Sequence, residues 1–443
     1  MNARNAAYDT LLKLEKEKQY SNIAVNHAIL RYDFDKLERA FYTQLVYGVI
    51  EKRITLDYLV TQYTEKSPKR LDLSVLILLR LSLYQIFFLD SVPESAAVSE
   101  GVKLAARYAS RAKGYINAIL RKACREAPIY PEEPHFPKSY VLSVRYSVSE
   151  EIVKLLLEQY AESCEGILNA YNSIPTITLQ VNSAFGTAER FIEAYQLDAQ
   201  TVPPLPFAVK FRSSVSVSDM PFLQNGEAFV QDTASQFTSL ILDPQPNDHI
   251  IDVCACPGGK TFSCANLMRS RAMNTDFSGR IISCDLHESK LSLVQSGAKR
   301  LSFDFIETVC HDATQTVDKW IDSADRIICD APCSGLGVIN KKPEIRYKDI
   351  SEIRSIPEIQ YQILETSSQY LKHGGTLLYS TCTLNRRENE DIVERFLKNH
   401  PEFSYEDFAI ESSIFSYCSQ KGCLTLLPNE WHDGFFIAKL KRT

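Results

Sequence analysis

From about Gly226 to the C-terminus, short apolar segments with strand character alternate with segments of helical periodicity. The strand-like segments read IIDVCA, RIISCDL, ETVCHDA, RIICDAP and TLLYSTC. Helical patterns separate most of them, notably after Gly259, at Glu288–Arg300 and at Pro357–Leu371. This alternation predicts a parallel, doubly wound α/β sheet, because right-handed crossovers return successive strands in the same direction.

Reactive side chains follow several of these predicted strands. Cys333 comes just after RIICDAP, and Cys382 ends TLLYSTC. The acidic residues Asp285, Asp312 and Asp330 stand at three strand ends. Ligands collect at the carboxyl ends of parallel strands, so these groups are expected to border one pocket. A single cysteine there is commonly only a buried packing residue, which keeps packing and chemistry both open for each thiol taken alone.

The rest of the chain has a different pattern. From Asn5 to about Arg125 apolar residues recur three and four apart, which predicts an all-helical bundle. The four prolines of APIYPEEPHFPKSY then indicate a linker. The segments EEIVKLLLEQY, TITLQVN and TAERFIEAYQL predict a helix, a strand and a helix. We therefore predict a helical domain at 1–127, a linker at 128–140, a small α+β module at 141–225 and an α/β domain at 226–443.

Charge is unevenly distributed along the chain. The 443 residues carry a formal charge of -6, yet residues 1–150 are net positive. Between Gly101 and Arg125 there are seven basic and no acidic residues. Such a stretch is either a solvated helix face or a surface that contacts an RNA backbone. The candidate RNA contacts in it are Lys103, Arg107 and Arg111.

Three further features exclude other classes of protein. The twelve cysteines follow no apolar signal segment, which predicts reduced thiols and a cytoplasmic protein. The run Leu73 to Leu89 contains Arg80 and is shorter than a membrane span of about 20 residues, so we expect a buried helix and no membrane partner. Cys254 and Cys256 lack a matching second pair of ligands, so no metal is predicted.

The segment DVCACPGGKTF has the form of a strand, a glycine turn and a helix start. Gly258 and Gly259 would let a ligand approach the backbone and the helix N-terminus. The segment is neither GxGxxG nor a phosphate loop, which disfavours dinucleotides and nucleoside triphosphates. Asp285 could accept both hydroxyls of a ribose, and an acidic rim suits a cationic cofactor such as the sulfonium S-adenosylmethionine.

Three motifs carry a resemblance to a known family. DVCACPGGK, CDAPCSGLGV with NKKPEIRYK, and YSTCTLNRRENE resemble, in order and spacing, the RNA (cytosine-5)-methyltransferases. RNAAYDTLLKLE, LLRLSLYQIFFLDSVPESAAVSEGVKLA and GYINAILRKA resemble the NusB fold. The combination resembles the Sun/Fmu family of ribosomal RNA methyltransferases over essentially the whole chain. It implies a NusB-like RNA-binding bundle, an α+β RNA-binding module and a Rossmann-like class I methyltransferase domain.

The resemblance also implies roles for single residues. Asp285 would bind the ribose, Asp312 would lie beside the adenine, and Asp330 would border both cofactor and base. Cys382 would be the attacking thiolate, with Cys333 assisting release. Cys256 stands where the family usually has alanine. The loop around the cofactor would consist of Cys254, Ala255, Cys256, Pro257, Gly258, Gly259 and Lys260.

A thiol suits this chemistry because carbon 5 of cytosine is a poor nucleophile until a nucleophile has added to carbon 6. A stacked base cannot offer that carbon, so the target must be flipped out or unpaired. The basic residues of NKKPEIRYK could hold its phosphates, or they could belong to a solvated loop. The candidates are Lys341, Lys342 and Arg346.

The sequence thus predicts a monomeric cytoplasmic enzyme that methylates carbon 5 of a cytidine in 16S ribosomal RNA, with S-adenosylmethionine as cofactor. Two alternatives stay open. One is a cytosine-5 methyltransferase that acts on transfer RNA or DNA. The other is a non-catalytic NusB-like RNA-binding factor, although such a factor would have no need of Asp330, Cys333 and Cys382.

Overall fold

The structure is a computed structural model that describes residues 2–17, 21–213, 215, 220–272, 277–409 and 422–443, and the backbone of 417–420. Its residues form two compact units. The first comprises Met1–Asn172 and Lys342–Asp349, and the second comprises Ser173–Lys341 and Ile350–Thr443. This division falls within the predicted 141–225 module, whose residues up to Asn172 belong to the first unit and whose strands belong to the second, and the predicted domain boundaries stay a prediction.

The first unit is all-helical in its described part, as the apolar spacing predicts. Its helices are α1 (Ala3–Glu17), α2 (Ser21–Tyr32), α3 (Lys36–Glu51), α4 (Arg53–Thr64), α5 (Leu73–Phe88), α6 (Glu94–Tyr108), α7 (Lys113–Arg125), α8 (Lys138–Tyr146), α9 (Glu150–Tyr160) and α10 (Cys164–Tyr171). The stretch 126–137 between α7 and α8 contains no helix or strand, consistent with its prolines.

Helix α5 is the buried helix that the apolar run predicts. All residues from Val75 to Gln85 are buried in it. Its one charged residue, Arg80, donates to both carboxylate oxygens of Asp57 at 2.6 and 2.7 Å and to Glu15 at 2.8 Å. These pairs compensate the charge inside the core. In the part of the chain that the structure describes, no helix is long and apolar enough to cross a membrane.

The second unit contains two sheets. The smaller one has four antiparallel strands in the order β2-β3-β1-β4. Its elements are β1 (Thr178–Val181), β2 (Ala199–Val202), β3 (Leu205–Phe211) and β4 (Ala228–Val230), with the helices α11 (Ala188–Tyr195) and α12 (Pro221–Gln224). The strand and the two helices predicted from EEIVKLLLEQY, TITLQVN and TAERFIEAYQL are confirmed as α9, β1 and α11.

The larger sheet confirms the predicted α/β domain. Its strands are β5 (His249–Asp252), β6 (Arg280–Asp285), β7 (Ile306–Cys310), β8 (Ala324–Asp330), β9 (Leu371–Thr381), β10 (Phe403–Tyr405), β11 (Tyr417–Gln420), β12 (Cys423–Leu426) and β13 (Phe435–Arg442). The order is β11-β12-β13-β9-β8-β5-β6-β7, with β10 beside β13. Strands β5 to β9 are parallel, whereas β10 to β13 are antiparallel to their neighbours. The sheet is therefore mixed, because β11, β12 and β13 follow one another through short connections that reverse the chain without a crossover.

Helices cover both faces of this sheet. They are α13 (Thr233–Leu242), α14 (Gly259–Arg271), α15 (Glu288–Leu301), α16 (Ile356–Ser368) and α17 (Glu390–Asn399). Phe237, Phe262 and Val294 of α13 to α15 belong to one buried cluster. Leu364 and Phe396 of α16 and α17 belong to the cluster on the other face. Since both faces are covered, the edge formed by the carboxyl ends of the parallel strands is where reactive side chains can meet a ligand.

Candidate active site

Two thiols meet at the carboxyl ends of β8 and β9. The strands are parallel neighbours, with Asp330 in register with Ser380. Cys382 follows β9 directly, and Cys333 lies three residues beyond β8. Their sulfur atoms are 3.1 Å apart. This is the juxtaposition that two neighbouring parallel strands predict, and it excludes the arrangement in which the thiols face opposite sides of the sheet.

Asp330 is held beside the thiols by two different partners. One of its carboxylate oxygens lies 2.6 Å from Nζ of Lys260, in the first turn of α14. The other accepts a hydrogen bond from Oγ of Ser380 at 2.8 Å. Burial disfavours the charged form of Lys260, but the Asp330 carboxylate outweighs it, so the pKa of Lys260 is raised. Cys382 and Asp252 add to this electrostatic stabilisation of Lys260.

Cys382 affects the protonation of Cys333. The hydrogen bond to Cys382, followed by burial, raises the pKa of Cys333 well above its usual value. Cys333 therefore keeps its proton at neutral pH while Cys382 is its neighbour. In the resting site this arrangement favours one protonated sulfur that donates to the other.

The glycine turn between β5 and α14 is folded tightly against the sheet. The amide of Ala255 donates to the carbonyl of Cys284 at 2.7 Å, and the amide of Gly258 donates to the carbonyl of Ala255 at 2.7 Å. Gly258 has a φ of +108°, and a Cβ there would lie 2.6 Å from the Phe262 ring. Only glycine fits this position, because both the backbone angle and the ring exclude a side chain.

A cavity of about 210 Å³ lies against this turn. Its lining contains much of the predicted cofactor loop together with Asp330. Gly258, Asp285, Asp312 and the two thiols are not part of the lining. The residues that line it are Val230, Gln231, Asp232, Ser235, Asp252, Cys254, Ala255, Cys256, Pro257, Gly259, Lys260 and Asp330.

Asp252 is a buried acid in that lining. Oδ2 accepts a hydrogen bond from Oγ1 of Thr261 at 2.6 Å, whereas Oδ1 has no hydrogen-bond partner among the described residues. Burial raises the pKa of Asp252 to about 7. Burial, with a smaller contribution from Asp285, raises the pKa of Cys256 to about 12. Cys256 is therefore a neutral thiol, and the loop tolerates it in place of the alanine usual in the resembled family.

Asp285 and Asp312 stand at the ends of β6 and β7. The carbonyl of Asp285 accepts the amide of His311 at 3.0 Å, which joins the two strand ends. The Asp285 carboxylate accepts the amide of His287 at 2.9 Å. Asp312 is exposed, and hydrogen bonds from the amide and hydroxyl of Thr314 lower its pKa. Both carboxylates lie on the same edge of the sheet as the glycine turn.

The predicted RNA contacts fall into different environments. Lys103, Arg107, Arg111 and Lys342 are exposed, and Lys103 lies 2.6 Å from Glu100. Lys341 has Nζ 2.7 Å from a carboxylate oxygen of Asp232 and of Asp433.

Arg346 is 1% exposed. It donates to the carbonyls of Tyr146 and Tyr171 and to the side chain of Asn172. The structure does not place Arg346 where RNA could reach it, because these uncharged groups of the first unit surround its guanidinium.

Sequence reasoning assigned no role to three residues that shape this site. Ser380 holds Asp330, as described above. The amide of Gly337 donates to the carbonyl of Cys382 at 2.9 Å, and its own carbonyl accepts the amide of Gly434 at 2.9 Å. A Cβ on Gly337 would collide with the carbonyl oxygen of Gly434.

Glu388 is fully buried beside the thiol loops. The only available signal for Glu388 was its position in YSTCTLNRRENE, the motif that contains Cys382.

Comparison with known proteins adds the family. A family model for 16S rRNA methyltransferase RsmB/F matches residues 239–441, and the NusB family model matches residues 1–125. A Bacillus subtilis (strain 168) protein named probable ribosomal RNA small subunit methyltransferase B is 32% identical over 450 residues. That match covers 99% of this chain and 98% of the relative. The chain belongs to the RsmB/F family of 16S rRNA methyltransferases.

Solved structures agree with this family at the level of the fold. The crystal structure of PH0851 matches with a TM-score of 0.81 and 23% identity, covering 100% of this chain and 99% of that one. NSun6 from Pyrococcus horikoshii, solved with the S-adenosylmethionine analogue SFG, matches with a TM-score of 0.58 and 22% identity. That match covers 66% of this chain and 98% of NSun6. Membership in the RsmB/F family confirms the predicted enzyme class, an rRNA methyltransferase that depends on S-adenosylmethionine.

The strand ends fit that cofactor. A sulfonium and an amino group are positive, and the cavity presents Asp330 and the buried Asp252, whose Oδ1 has no described partner. The side-chain-free turn at Gly258 and Gly259 gives close access to the backbone. Asp285 offers a carboxylate at the next strand end, where two ribose hydroxyls can donate to it. These residues would hold the cofactor along the ends of β5 and β6.

Proposed function

We propose that this member of the RsmB/F family methylates carbon 5 of a cytidine in 16S rRNA through a covalent bond between Cys382 and carbon 6 of the base. The observation that carries the proposal is the pair of thiols 3.1 Å apart beside the Asp330 carboxylate. A single thiol could be a packing residue, but packing does not require a second thiol, a lysine and a carboxylate at the same strand ends.

Cys382 is the nucleophile in this scheme. The reactive form of cysteine is the thiolate, and a nearby cation stabilises it. Lys260 supplies that cation, since its ammonium is held by Asp330 at the strand ends that carry the thiols. Addition of the sulfur to carbon 6 makes carbon 5 electron-rich. Bound S-adenosylmethionine supplies an electrophilic methyl group on a sulfonium.

Cys333 acts after the methyl group has been transferred. The proton on carbon 5 must then leave to a base, and its electron pair re-forms the ring double bond and expels the Cys382 sulfur. The main cause of the raised pKa of Cys333 is its hydrogen bond with Cys382. Once Cys382 is bonded to carbon, that cause is removed, while burial still favours the protonated thiol. Cys333 must therefore release its own proton to solvent before it can accept the proton from carbon 5.

Asp330 selects the base. Its carboxylate accepts hydrogen bonds from the amino group of cytosine, whereas uracil presents a carbonyl at that position and cannot donate. Lys260 binds one carboxylate oxygen of Asp330 and Ser380 binds the other, which fixes the orientation of the carboxylate. A site built to accept a particular hydrogen bond rejects an analogue that lacks it, because the carboxylate is then left unpaired.

The substrate enters as an unpaired or flipped-out cytidine, since a stacked base hides carbon 6. We propose that the exposed cations Lys103, Arg107, Arg111 and Lys342 contact the RNA backbone, and we leave the buried Arg346 out of that set.

We also propose that the protein is a monomer in the cytoplasm, where thiols stay reduced.

Trapping the covalent bond tests the mechanism. Cys333→Ala should accumulate a protein–RNA adduct that survives a denaturing gel when RNA and S-adenosylmethionine are present, because attack proceeds and release does not. Cys382→Ala should form no adduct and lose methyl transfer. Cys124→Ala, which removes a thiol from the helical unit, is the matched control and should behave as the unmodified protein. The reverse pattern would assign the nucleophile to Cys333.

Substrate choice needs a separate measurement. Methyl transfer to naked 16S rRNA, transfer RNA and duplex DNA, followed by bisulfite mapping of the product, distinguishes the proposal from a transfer RNA or DNA enzyme. Calorimetry with S-adenosylmethionine distinguishes it from a non-catalytic RNA-binding factor, because such a factor would not bind the cofactor.

A further inference from the structure

A buried carboxylate connects the loops that carry the two thiols. Glu388 is 0% exposed and lies in the turn between β9 and α17. Its Oε2 accepts the amide of Ser334 at 2.8 Å and the side-chain amide of Gln360 at 3.4 Å. Its Oε1 accepts the hydroxyl of Ser334 at 2.6 Å and the side-chain amide of Asn385 at 2.9 Å. Glu388 thus receives two of its hydrogen bonds from the residue that follows Cys333.

The same network reaches the residue that follows Cys382. Oγ of Ser334 lies 2.7 Å from Oγ1 of Thr383. The backbone carbonyl of Glu388 accepts the hydroxyl of Tyr379, a residue of β9, at 2.7 Å. Both cysteine loops are therefore tied to Glu388, one by direct bonds and the other through Ser334 and Tyr379.

We propose that Glu388 is a positioning residue that sets the place of Cys333 relative to Cys382, acting through Ser334. The inference rests on the proposed function and adds a residue that touches neither base nor cofactor. Burying a carboxylate is costly unless hydrogen bonds compensate it, so its donors are held in fixed directions. Fixed donors in turn fix the backbone that carries Cys333, and active-site groups need such support to stay within about 0.5 Å of the productive geometry.

The two thiols depend on Glu388 to different degrees. Cys333 is adjacent to Ser334, which makes two direct hydrogen bonds to the carboxylate. Cys382 has further supports that do not involve Glu388, because it follows β9 and its carbonyl accepts the amide of Gly337. Loss of Glu388 should consequently disturb the release step, which uses Cys333, more than the attack by Cys382.

Glu388→Gln is the direct test. The substitution keeps the shape of the side chain but replaces one carboxylate oxygen with an NH2 group. That group donates hydrogen bonds, and it would face the donors of Ser334, Gln360 or Asn385. We expect turnover to fall about 10- to 100-fold, as for other small misplacements of catalytic groups. The adduct with RNA should accumulate above the level of the unmodified protein, while the dissociation constant for S-adenosylmethionine stays unchanged.

Glu390→Gln is the matched control. Glu390 belongs to the same motif and accepts the hydroxyl of Thr425 at 3.2 Å, but this bond leads to β12 rather than to a cysteine loop. The control should keep its turnover and accumulate no adduct. Equal turnover loss and equal adduct in both variants would overturn the proposal, because the effect would then come from losing any buried acid in this turn.

Ser334→Ala tests the same connection without changing Glu388, and it serves as the test if Glu388→Gln does not fold. It removes the hydroxyl that joins Glu388 to Thr383 and leaves the amide of residue 334 in place. Adduct should accumulate in Ser334→Ala as well. Adding Ser334→Ala to Glu388→Gln should lower turnover by less than the product of the two single effects, because both act through one connection. Fully multiplicative effects would contradict the proposed route.

The outcome can be separated from that of the mechanism itself. If Cys333→Ala traps the adduct and Glu388→Gln shows only slower attack with no adduct, the mechanism stands and the positioning role is wrong. If Cys333→Ala traps nothing and Cys382→Ala stays active, the covalent mechanism fails, and the positioning role fails with it.

Discussion

The two halves of the sheet edge that carries the site are built differently. At the ends of β8 and β9, the side chain of Asp330 is bonded to Lys260 and Ser380, and the thiols touch each other. At the ends of β6 and β7, the Asp285 carboxylate accepts the amide of His287, the Asp312 carboxylate accepts the amide and hydroxyl of Thr314, and Asp312 is exposed.

This contrast separates two tasks. Groups that take part in bond making need a fixed geometry, which the network around Asp330 supplies. Groups that bind an exchangeable cofactor must release it after each turnover, and carboxylates that are at least partly accessible permit this at low cost. We therefore expect variants on the β8–β9 side to lower the rate of the reaction, and variants on the β6–β7 side to weaken cofactor binding.

Asp330→Asn should give the largest effect. It removes the charge that Lys260 neutralises and the acceptor for the cytosine amino group, so kcat should fall about 100- to 1000-fold. Asp325→Asn is the matched control, since Asp325 lies on the same strand and also pairs with a lysine, Lys372, at 2.6 Å. Single-turnover methylation would measure both variants. If Asp330→Asn weakened only the affinity for the cofactor, the β8–β9 and β6–β7 sides would not differ in function.

Asp285→Ala should act on binding instead. Loss of a carboxylate that accepts from ribose hydroxyls should weaken S-adenosylmethionine about 10- to 100-fold, as for a charged hydrogen-bond partner. The rate at saturating cofactor should change little. Glu288→Gln removes an exposed acid three residues further on and should leave affinity unchanged. Isothermal titration calorimetry gives the comparison, and an unaltered affinity in Asp285→Ala would argue against the ribose contact.

The smallest effect concerns pH and Asp252, which lies between the two halves. Burial raises the pKa of Asp252 to about 7, above its unfolded value, so its contribution to stability is complete below pH 4 and is lost as pH rises through 7. Between pH 6 and pH 8 this loss amounts to about 1.4 kcal/mol. Thermal unfolding at the two pH values should show it, and Asp252→Asn should abolish that part of the pH dependence. An identical pH dependence in both proteins would contradict the raised pKa.

The parts of the site that follow local sequence rules could be predicted. The strands β5 to β9 were predicted from their apolar runs. Because parallel strands place their carboxyl ends at one edge of the sheet, the grouping of the acids and thiols at that edge could be predicted as well. The glycine turn could be predicted because glycine favours turns, and Gly258 does adopt a backbone angle that other residues avoid. In these cases the local sequence and the tertiary structure give the same answer.

Features that depend on burial could not be predicted. Glu388 and Arg346 look like surface charges in RRENE and PEIRY, yet both are buried. Their environment is set by residues distant in sequence, such as Ser334 for Glu388 and Tyr146 for Arg346. Periodicity gives no information about such partners. The alternation of apolar Pro343, Ile345 and Tyr347 was the one local sign that the second segment is buried.

The segment Lys342–Asp349 limits how this chain can be divided into fragments. Because it belongs to the helical unit while the chain on either side belongs to the catalytic unit, the polypeptide passes between the units three times. A single cut in the gene cannot separate them, and a catalytic fragment starting at Ser173 would present Ile345 and Arg346 to water without their partners. The helical unit is therefore complete only when a peptide from the middle of the catalytic sequence is present, so the two units are not separable as consecutive fragments of the chain.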